Sequence, residues 1–369
     1  MKILQSIETG GPGGAEEVLI ALCSGLRARG HDVEAVLLKR GWLADRLESE
    51  GVPTRILHLS GGIDRAFVSR LAGTLRDSGA DVFHSHEFSM TWYGRRACRA
   101  TGVRHVGTVH GKNFVGATKR RLAAGWSLQP HARTTLTAVS DDLATHIARR
   151  AIPRLRNVEV VRNGVHLPAR AEVRAREGTG LRLVAVGNLY PVKNHALSIE
   201  ALAEIVGRGV DARLTILGRG GEQADLERRA RELGVAERVE LAGYRDDVPE
   251  FLAASDVFVS SSLSEGMPLS FLEAMGHALP IVASRVGGVP EIVEHDRHGL
   301  LFPSEDTGAF ADALERLARD DGLRRRLAAE ALHAARAQWS VDAMVDRYLA
   351  VYERLDGAAA SPRPAKASR

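Results

Sequence analysis

Along this chain, short uninterrupted apolar runs alternate with longer stretches in which apolar residues return every three or four positions. The runs are too continuous for half-exposed strands and match strands buried on both faces, while the stretches between them match helices packed on one side. In the first half the runs fall at 3–7, 33–38, 55–59, 82–84, 105–109, 136–139 and 158–161. The pattern lapses after Pro168, where Ala-Arg-Ala-Glu-Val-Arg-Ala-Arg-Glu-Gly-Thr has little periodicity, and restarts at 181–186. A helical stretch to about 206 and further runs at 239–241, 257–259 and 281–283 follow. Repeated alternation of strand and helix predicts an α/β fold with doubly wound sheets. The lapse predicts a linker over 169–180 between one domain at 1–168 and another at 181–339. Helical periodicity covers about 307–336 and again 340–355. The tail over 356–369, with its alanines, prolines and basic residues, is expected to be disordered.

Length agrees with two domains, since 369 residues exceed what one hydrophobic core usually organises. A composition 44% hydrophobic and 26% charged is that of an ordinary soluble globular protein. The N-terminal Met-Lys-Ile-Leu-Gln-Ser-Ile is too short for a signal segment and runs into glycines, so a first strand and cytoplasmic residence are expected. Cys23 and Cys98 lie in helical stretches without metal-site spacing, which suits buried free thiols.

The net charge of +4 hides an asymmetry: residues 1–168 carry 24 Lys and Arg against 15 Asp and Glu, whereas residues 169–369 carry 26 against 31. The densest basic clusters are Lys119-Arg120-Arg121 and Arg149-Arg150 with Arg154 and Arg156. Such clusters meet anionic lipid or acidic glycan, or are simply solvated helix faces. Without interleaved aromatic residues they do not suit nucleic acid.

The stretch with the most chemistry runs from Ser262 to Pro280, between the runs at 257–259 and 281–283, and so reads as a loop and helix joining two buried strands. Proline favours the first helical position, which starts the helix at Pro268 and leaves Met267, with no hydrogen-bonding cap, before it. The N–H groups of Leu269 and Ser270 then stand without a side-chain acceptor at the positive end of a helix dipole, a site for a phosphate. Glu265 precedes the helix, and Glu273 lies inside it on the same face as Leu269, Ser270 and Gly276. A competing reading takes Ser262-x-x-Glu265 and Ser270-x-x-Glu273 as capping boxes. Gly266 and Pro268 interrupt the first box, and Ser270 is already within the helix.

Glu265-Gly-Met-Pro-Leu-x-x-x-Glu273-Ala-Met-x-x-x-x-Pro280 resembles the signature of family-4 retaining glycosyltransferases. The resemblance implies a GT-B fold, two Rossmann-like domains facing across a cleft, with a nucleotide-sugar donor on the C-terminal domain and a glycan or lipid-linked acceptor mostly on the N-terminal one. Within the loop Glu265, Gly266, Met267, Pro268, Leu269 and Ser270, Glu265 would hold hydroxyls of the transferred sugar, and Glu273 would hold the donor ribose. His110, in Thr108-Val-His-Gly111, matches the histidine that reaches the donor sugar. Gly13 and Gly14, in Gly-Gly-Ala-Glu16, match the loop that faces the cleft. Tyr244 and Arg245 match the segment whose backbone meets the nucleobase.

In the loop from Gly187 to Asn194, Lys193 matches the family's phosphate-binding lysine, while Asn188 stands where the family has an arginine. Arg219, in Leu-Gly-Arg-Gly-Gly221, is the expected substitute for that missing cation. The segments Val139-Ser-Asp-Asp142 and Arg162-Asn-Gly-Val165 resemble the family's landmarks at the end of the first domain, and the helix over 340–355 is expected to cross back onto it. The implied reaction is retaining hexosyl transfer, as in bacterial surface polysaccharide or glycolipid assembly, with no cofactor and no metal.

Other classes fit less well. The turn Gly10-Gly-Pro-Gly-Gly-Ala-Glu16 fails the dinucleotide fingerprint, because Glu16 stands where a third small residue is needed and Lys39 and Arg40 follow the second strand. That disfavours an NAD-type dehydrogenase, and the expected lack of an export signal disfavours a nonenzymatic two-lobed sugar-binding protein. His84 and His86 point the same way from one strand, as a metal pair would, but no third ligand has recognisable spacing.

Overall fold

The computed structural model describes residues 1–357 except 62, 131, 176, 177 and 179. Most of the expected tail lies outside the described residues. The chain divides into two compact units, Met1–Gly164 with the chain from Val341 onward, and Val165–Ser340.

The first unit is built on seven parallel strands: β1 (Lys2–Ile7), β2 (Asp32–Leu37), β3 (Thr54–Ile56), β4 (Val82–His86), β5 (Arg104–Val109), β6 (Thr134–Ala138) and β7 (Glu159–Val160). Their order is β3-β2-β1-β4-β5-β6-β7. Strand addition thus reverses between β1 and β4, which places this unit's topological switch point at the carboxyl ends of those two strands. Strand β1 is flanked on both sides and buried from Ile3 to Ile7, as its unbroken apolar run predicts. The third predicted strand is shortened: beyond Ile56 only the Leu57 amide still reaches the sheet, donating to Leu37 O at 2.8 Å.

The second unit has six parallel strands: β8 (Leu181–Val186), β9 (Ala212–Leu217), β10 (Val239–Gly243), β11 (Val257–Ser260), β12 (Ile281–Ser284) and β13 (Gly299–Phe302). Their order is β10-β9-β8-β11-β12-β13, so the switch point lies between β8 and β11. Its core gathers β8, β9 and β11 side chains with Ile199, Leu202, Phe310 and Leu314 of the covering helices. The helical stretch expected over 307–336 is two helices, Thr307–Arg319 and Asp321–Gln338. Asp320 separates them, its carboxylate accepting from Leu323 N at 2.8 Å.

The boundary between units falls four residues before the expected one. Val165 forms a parallel bridge with Ser340 and donates to Trp339 O at 2.8 Å, and Leu167 packs where a Cβ on Gly276 would stand. Nothing local marks this crossing, because the partners lie more than a hundred residues further along the chain.

The last helix, Val341–Gly357, belongs to the first unit. Val341 and Val345 press on the helix Gly14–Ala28 at Gly25, where an added methyl would come within 2.9 Å of either side chain. Tyr348 and Tyr352 are fully buried and hydrogen-bond into the sheet, Tyr348 Oη to Thr108 at 3.1 Å and Tyr352 Oη to His84 Nδ1 at 2.7 Å. His84 is thereby a tie between helix and sheet. Cys23 and Cys98 are buried free thiols. Among the described residues no helix is long and apolar enough to cross a membrane.

Candidate active site

In the second unit the switch point brings two loops together, 187–194 after β8 and 261–268 after β11. Leu263 N donates to Val192 O at 2.8 Å, and Ser261 Oγ donates to Asn194 O at 2.7 Å. These bonds carry Lys193 to Glu265, where Nζ meets Oε1 at 2.6 Å. The lysine stem lies across Gly187, whose missing Cβ would be 3.4 Å from Lys193 Cδ. Buried His195 donates from Nε2 to Gly187 O at 3.1 Å and fixes the start of the loop. Burial pulls its pKa down to about 4, so the ring is neutral at pH 7.

The loop after β12 holds Glu265 from behind. Gly287 has φ +50°, and a Cβ there would lie 2.0 Å from Glu265 O, while Gly288 N donates to the same oxygen at 3.1 Å. The local pattern assigns Gly287 no such role; a Gly-Gly pair after a buried run is its only sign. Glu265 is 9% exposed; its main chain is held by the turn after β12, and its carboxylate is held by Lys193.

Pro268 is the cap of the helix Leu269–Gly276 and not its first residue, with ψ 124° and no side-chain cap bond. The expected start is therefore one residue early, because proline's fixed φ is equally compatible with the extended cap position. The cap residue Pro268 itself offers no side-chain acceptor to the first turn at Leu269 and Ser270. Gly266 is half-buried, Met267 is buried under the loop, and Glu273 stands half-buried one turn into the helix.

The loop after β9 is pressed onto the loop of Asn188. A Cβ at Gly218 or Gly220 would lie 2.1 Å from Gly187 O or 2.2 Å from Leu189 O, and Leu189 N donates to Arg219 O at 3.0 Å. Arg219 is thus placed beside Asn188 by two glycines that permit close backbone approach. Its guanidinium lies over the ring of Tyr244, 5.3 Å from the centroid, and Tyr244 is 44% exposed. Arg245 is committed elsewhere, since its Nε donates to Asp247 at 2.7 Å and its guanidinium covers Phe251.

In the first unit the switch-point loops follow β1 and β4. Gly13 caps the helix Gly14–Ala28 in extended geometry, and the buried Glu16 carboxylate folds back to where a Gly13 Cβ would be, 2.6 Å away. A carboxylate on this helix end opposes an anion and favours a hydroxyl.

His86 and His110 meet at the ends of β4 and β5, Nδ1 to Nε2 at 2.8 Å, and His86 Nε2 meets Gln5 Oε1 at 3.1 Å. Gln5 Nε2 points to Tyr352 Oη at 3.4 Å, which orients the amide oxygen toward His86. Burial holds both imidazoles neutral, His110 at about 4. His86 therefore donates from Nε2 and accepts at Nδ1, His110 donates from Nε2, and His110 Nδ1 keeps a lone pair for a donor such as a hydroxyl.

Glu87, next to this pair, belongs to none of the motifs that mark the site in sequence. Its φ is +64°, uncommon for a residue with a Cβ, and its amide donates to Thr108 O at 3.0 Å. Its carboxyl is pushed up to about 7, first by burial and then by Glu8; the His110 amide that donates to it opposes, and Glu16 adds to the rise. Among the described residues no group of three or more His, Cys, Asp or Glu could hold a metal ion.

Two doubly wound parallel units, one of them presenting a lysine, a carboxylate and an uncapped helix at its switch point, have the architecture of the GT-B glycosyltransferases. The chain superposes on solved structures of that kind: HepE from Anabaena, in complex with UDP, matches 96% of this chain and all of its own with a TM-score of 0.82 at 20% identity.

The chain belongs to glycosyltransferase family 4. The family description "Glycosyltransferase Family 4" matches residues 12–168, and "Glycosyl transferases group 1" matches residues 180–320. The UDP-Gal:alpha-D-GlcNAc-diphosphoundecaprenol alpha-1,3-galactosyltransferase of Escherichia coli is 30% identical over 78% of this chain and 80% of its own length. The GDP-mannose-dependent alpha-(1-6)-phosphatidylinositol monomannoside mannosyltransferase of Mycolicibacterium smegmatis is 30% identical over 70% and 73%.

Proposed function

We propose that this glycosyltransferase moves a hexosyl unit from a nucleoside-diphosphate sugar, with retention at the anomeric carbon, to a glycan or lipid-linked acceptor in polysaccharide or glycolipid assembly on the cytoplasmic side of a membrane. The observation that carries the reading is the Lys193–Glu265 pair at 2.6 Å beside the uncapped start of the helix Leu269–Gly276. Negative charge gathers on the diphosphate as the sugar leaves, and Lys193 with the N–H groups of Leu269 and Ser270 stabilises it from fixed positions. Glu265 receives hydroxyls of the sugar, and Glu273 those of the ribose. Arg219 supplies the second cation that Asn188 does not, and Tyr244 offers a ring at the base end. Arg245 contributes backbone only, its side chain being tied to Asp247. On the first unit, His110 Nδ1 accepts from a sugar hydroxyl, and the Gly13-Gly14 turn admits a second hydroxyl-bearing group. Charge on the leaving group is met by these residues, so the reaction proceeds without a divalent metal.

The two relatives are named for different bases and sugars, a uridine galactosyl donor and a guanosine mannosyl donor, but both donors are nucleoside-diphosphate hexoses and both named acceptors are lipid-linked. That shared chemistry supports the substrate class. Ligand-induced thermal shifts with UDP-, GDP- and ADP-sugars test it, with one base expected to stabilise the second unit. Failure of all three to stabilise the protein refutes the donor assignment. Turnover abolished by EDTA would refute the assignment of the leaving-group charge to Lys193, Arg219 and the helix.

A further inference from the structure

The most exposed large apolar side chain among the described residues is Trp126, at 76%. It lies on the ten-residue helix Thr118–Ser127 of the first unit, one turn from Leu122, which is 42% exposed. Positions four apart share a helix face, so the two form one apolar stripe. The inner side of the same helix is pressed against residues 152 and 153 at Gly125, where a Cβ would stand 2.1 Å from the Ile152 carbonyl carbon. Ile152, itself 39% exposed, is tied to this helix through its amide, which donates to Arg121 O at 2.9 Å.

The two segments that carry these residues, 118–127 and 149–156, contain seven Lys and Arg and no Asp or Glu. Two of the seven are occupied within the protein: Arg120 donates to Asn113 O at 3.1 Å and lies over Phe88, and Arg121 donates to Arg150 O at 2.8 Å. Lys119, Arg149, Arg150, Arg154 and Arg156 are exposed on the same two segments as the apolar residues. The cationic triplet expected from sequence is therefore not the working unit, because two of its members help build the surface that carries the other charges.

We propose that this face of the first unit is a docking surface for an anionic lipid bilayer. Trp126, Leu122 and Ile152 enter the boundary between headgroups and acyl chains, and the arginines with Lys119 meet the lipid phosphates. A bilayer is favoured over other polyanions because a tryptophan with two aliphatic side chains, accompanied by cations, matches a medium that is apolar below an anionic plane; a soluble polyanion has no use for Leu122 and Ile152. No described helix crosses a membrane, so attachment is peripheral and reversible with salt. The proposal concerns a surface, and it holds or fails independently of the transfer chemistry.

The test is co-sedimentation of the full-length protein, without nucleotide sugar, with vesicles of phosphatidylcholine alone or mixed with phosphatidylglycerol. Binding to the mixed vesicles that weakens as salt rises is expected. The double variant Leu122→Ser, Trp126→Ser should lose at least tenfold in partitioning, and Arg149→Glu with Arg150→Glu should lose roughly fivefold per charge or more. All four residues are exposed, so near-ultraviolet circular dichroism and donor-induced thermal shift should stay at the wild-type values. Fluorescence quenching by brominated lipid should occur in wild type and vanish in Trp126→Phe, which distinguishes that tryptophan from the other three. Wild-type partitioning by both multiple variants would overturn the proposal. So would vesicle-independent self-association lost in Leu122→Ser, Trp126→Ser, which assigns the face to a second copy of the chain, or retention on heparin with no vesicle binding, which assigns it to a soluble polyanion.

Discussion

Replacing Glu87 by glutamine should stabilise the protein at alkaline pH and do little at acid pH. The native carboxyl titrates at about 7 against an ordinary value of 4.5, chiefly because burial and the neighbouring Glu8 penalise its charged form. A carboxyl whose native pKa is raised binds its proton more tightly folded than unfolded, so stability is lost as pH rises from near 4.5 to near 7 and stays low above that window. A rise of that size corresponds to roughly 3 kcal/mol, of which some 2.5 kcal/mol develops between pH 5 and pH 8. Glutamine keeps an acceptor for the His110 amide and cannot ionise. Urea unfolding followed by circular dichroism should therefore find Glu87→Gln less than about 1 kcal/mol more stable than wild type at pH 5, and about 3 kcal/mol more stable at pH 8. The strained φ of +64° is common to both proteins and cancels. An equal difference at both pH values, or a variant less stable than wild type at pH 8, would show that the carboxyl is solvated or paired with a cation, and the account of this switch point would fail.

The second unit supplies three more tests. Glu273→Ala should weaken donor binding at least tenfold by calorimetry, since a carboxylate bond to each ribose hydroxyl is worth roughly 1.5–3 kcal/mol; unchanged affinity would leave Glu273 a structural residue. Arg219→Ala should weaken binding of the preferred nucleoside diphosphate roughly ten- to hundredfold, the value of one charge-assisted bond, and wild-type affinity and turnover would reject it as the substitute for the cation missing at Asn188. Gly287→Ala places a methyl 2.0 Å from Glu265 O at a φ of +50°. It should cost about 1–3 kcal/mol of stability and lower kcat more than donor affinity, and an unaffected kcat would mean that the position of Glu265 does not depend on that turn.

Much of this protein is written locally. Eleven of the thirteen strands are legible because a continuous apolar run between turn residues fits a strand covered on both faces, whereas β9 and β13 are not among the runs read from sequence; the helix after Glu265 is legible because Pro268 and an apolar repeat mark its start to within one residue. What lies beyond local pattern is which loops become neighbours. Lys193 and Glu265 are 72 positions apart and meet because β8 pairs with β11, a choice made by packing among all six strands of the sheet. Strand order likewise brings Gly218 and Gly220 against the Asn188 loop and sets Gly287 under Glu265, where the absence of a Cβ matters only because another backbone arrives there. The same holds for Glu87, whose pKa depends on Glu8 and on burial by elements distant in sequence, and for the step from Gly164 to Val165, where the chain changes unit without any local break because Val165 pairs with the segment just before the last helix. Residue type and periodicity are properties of a few consecutive positions; a switch point, a close approach and a shifted pKa are properties of the assembled sheet.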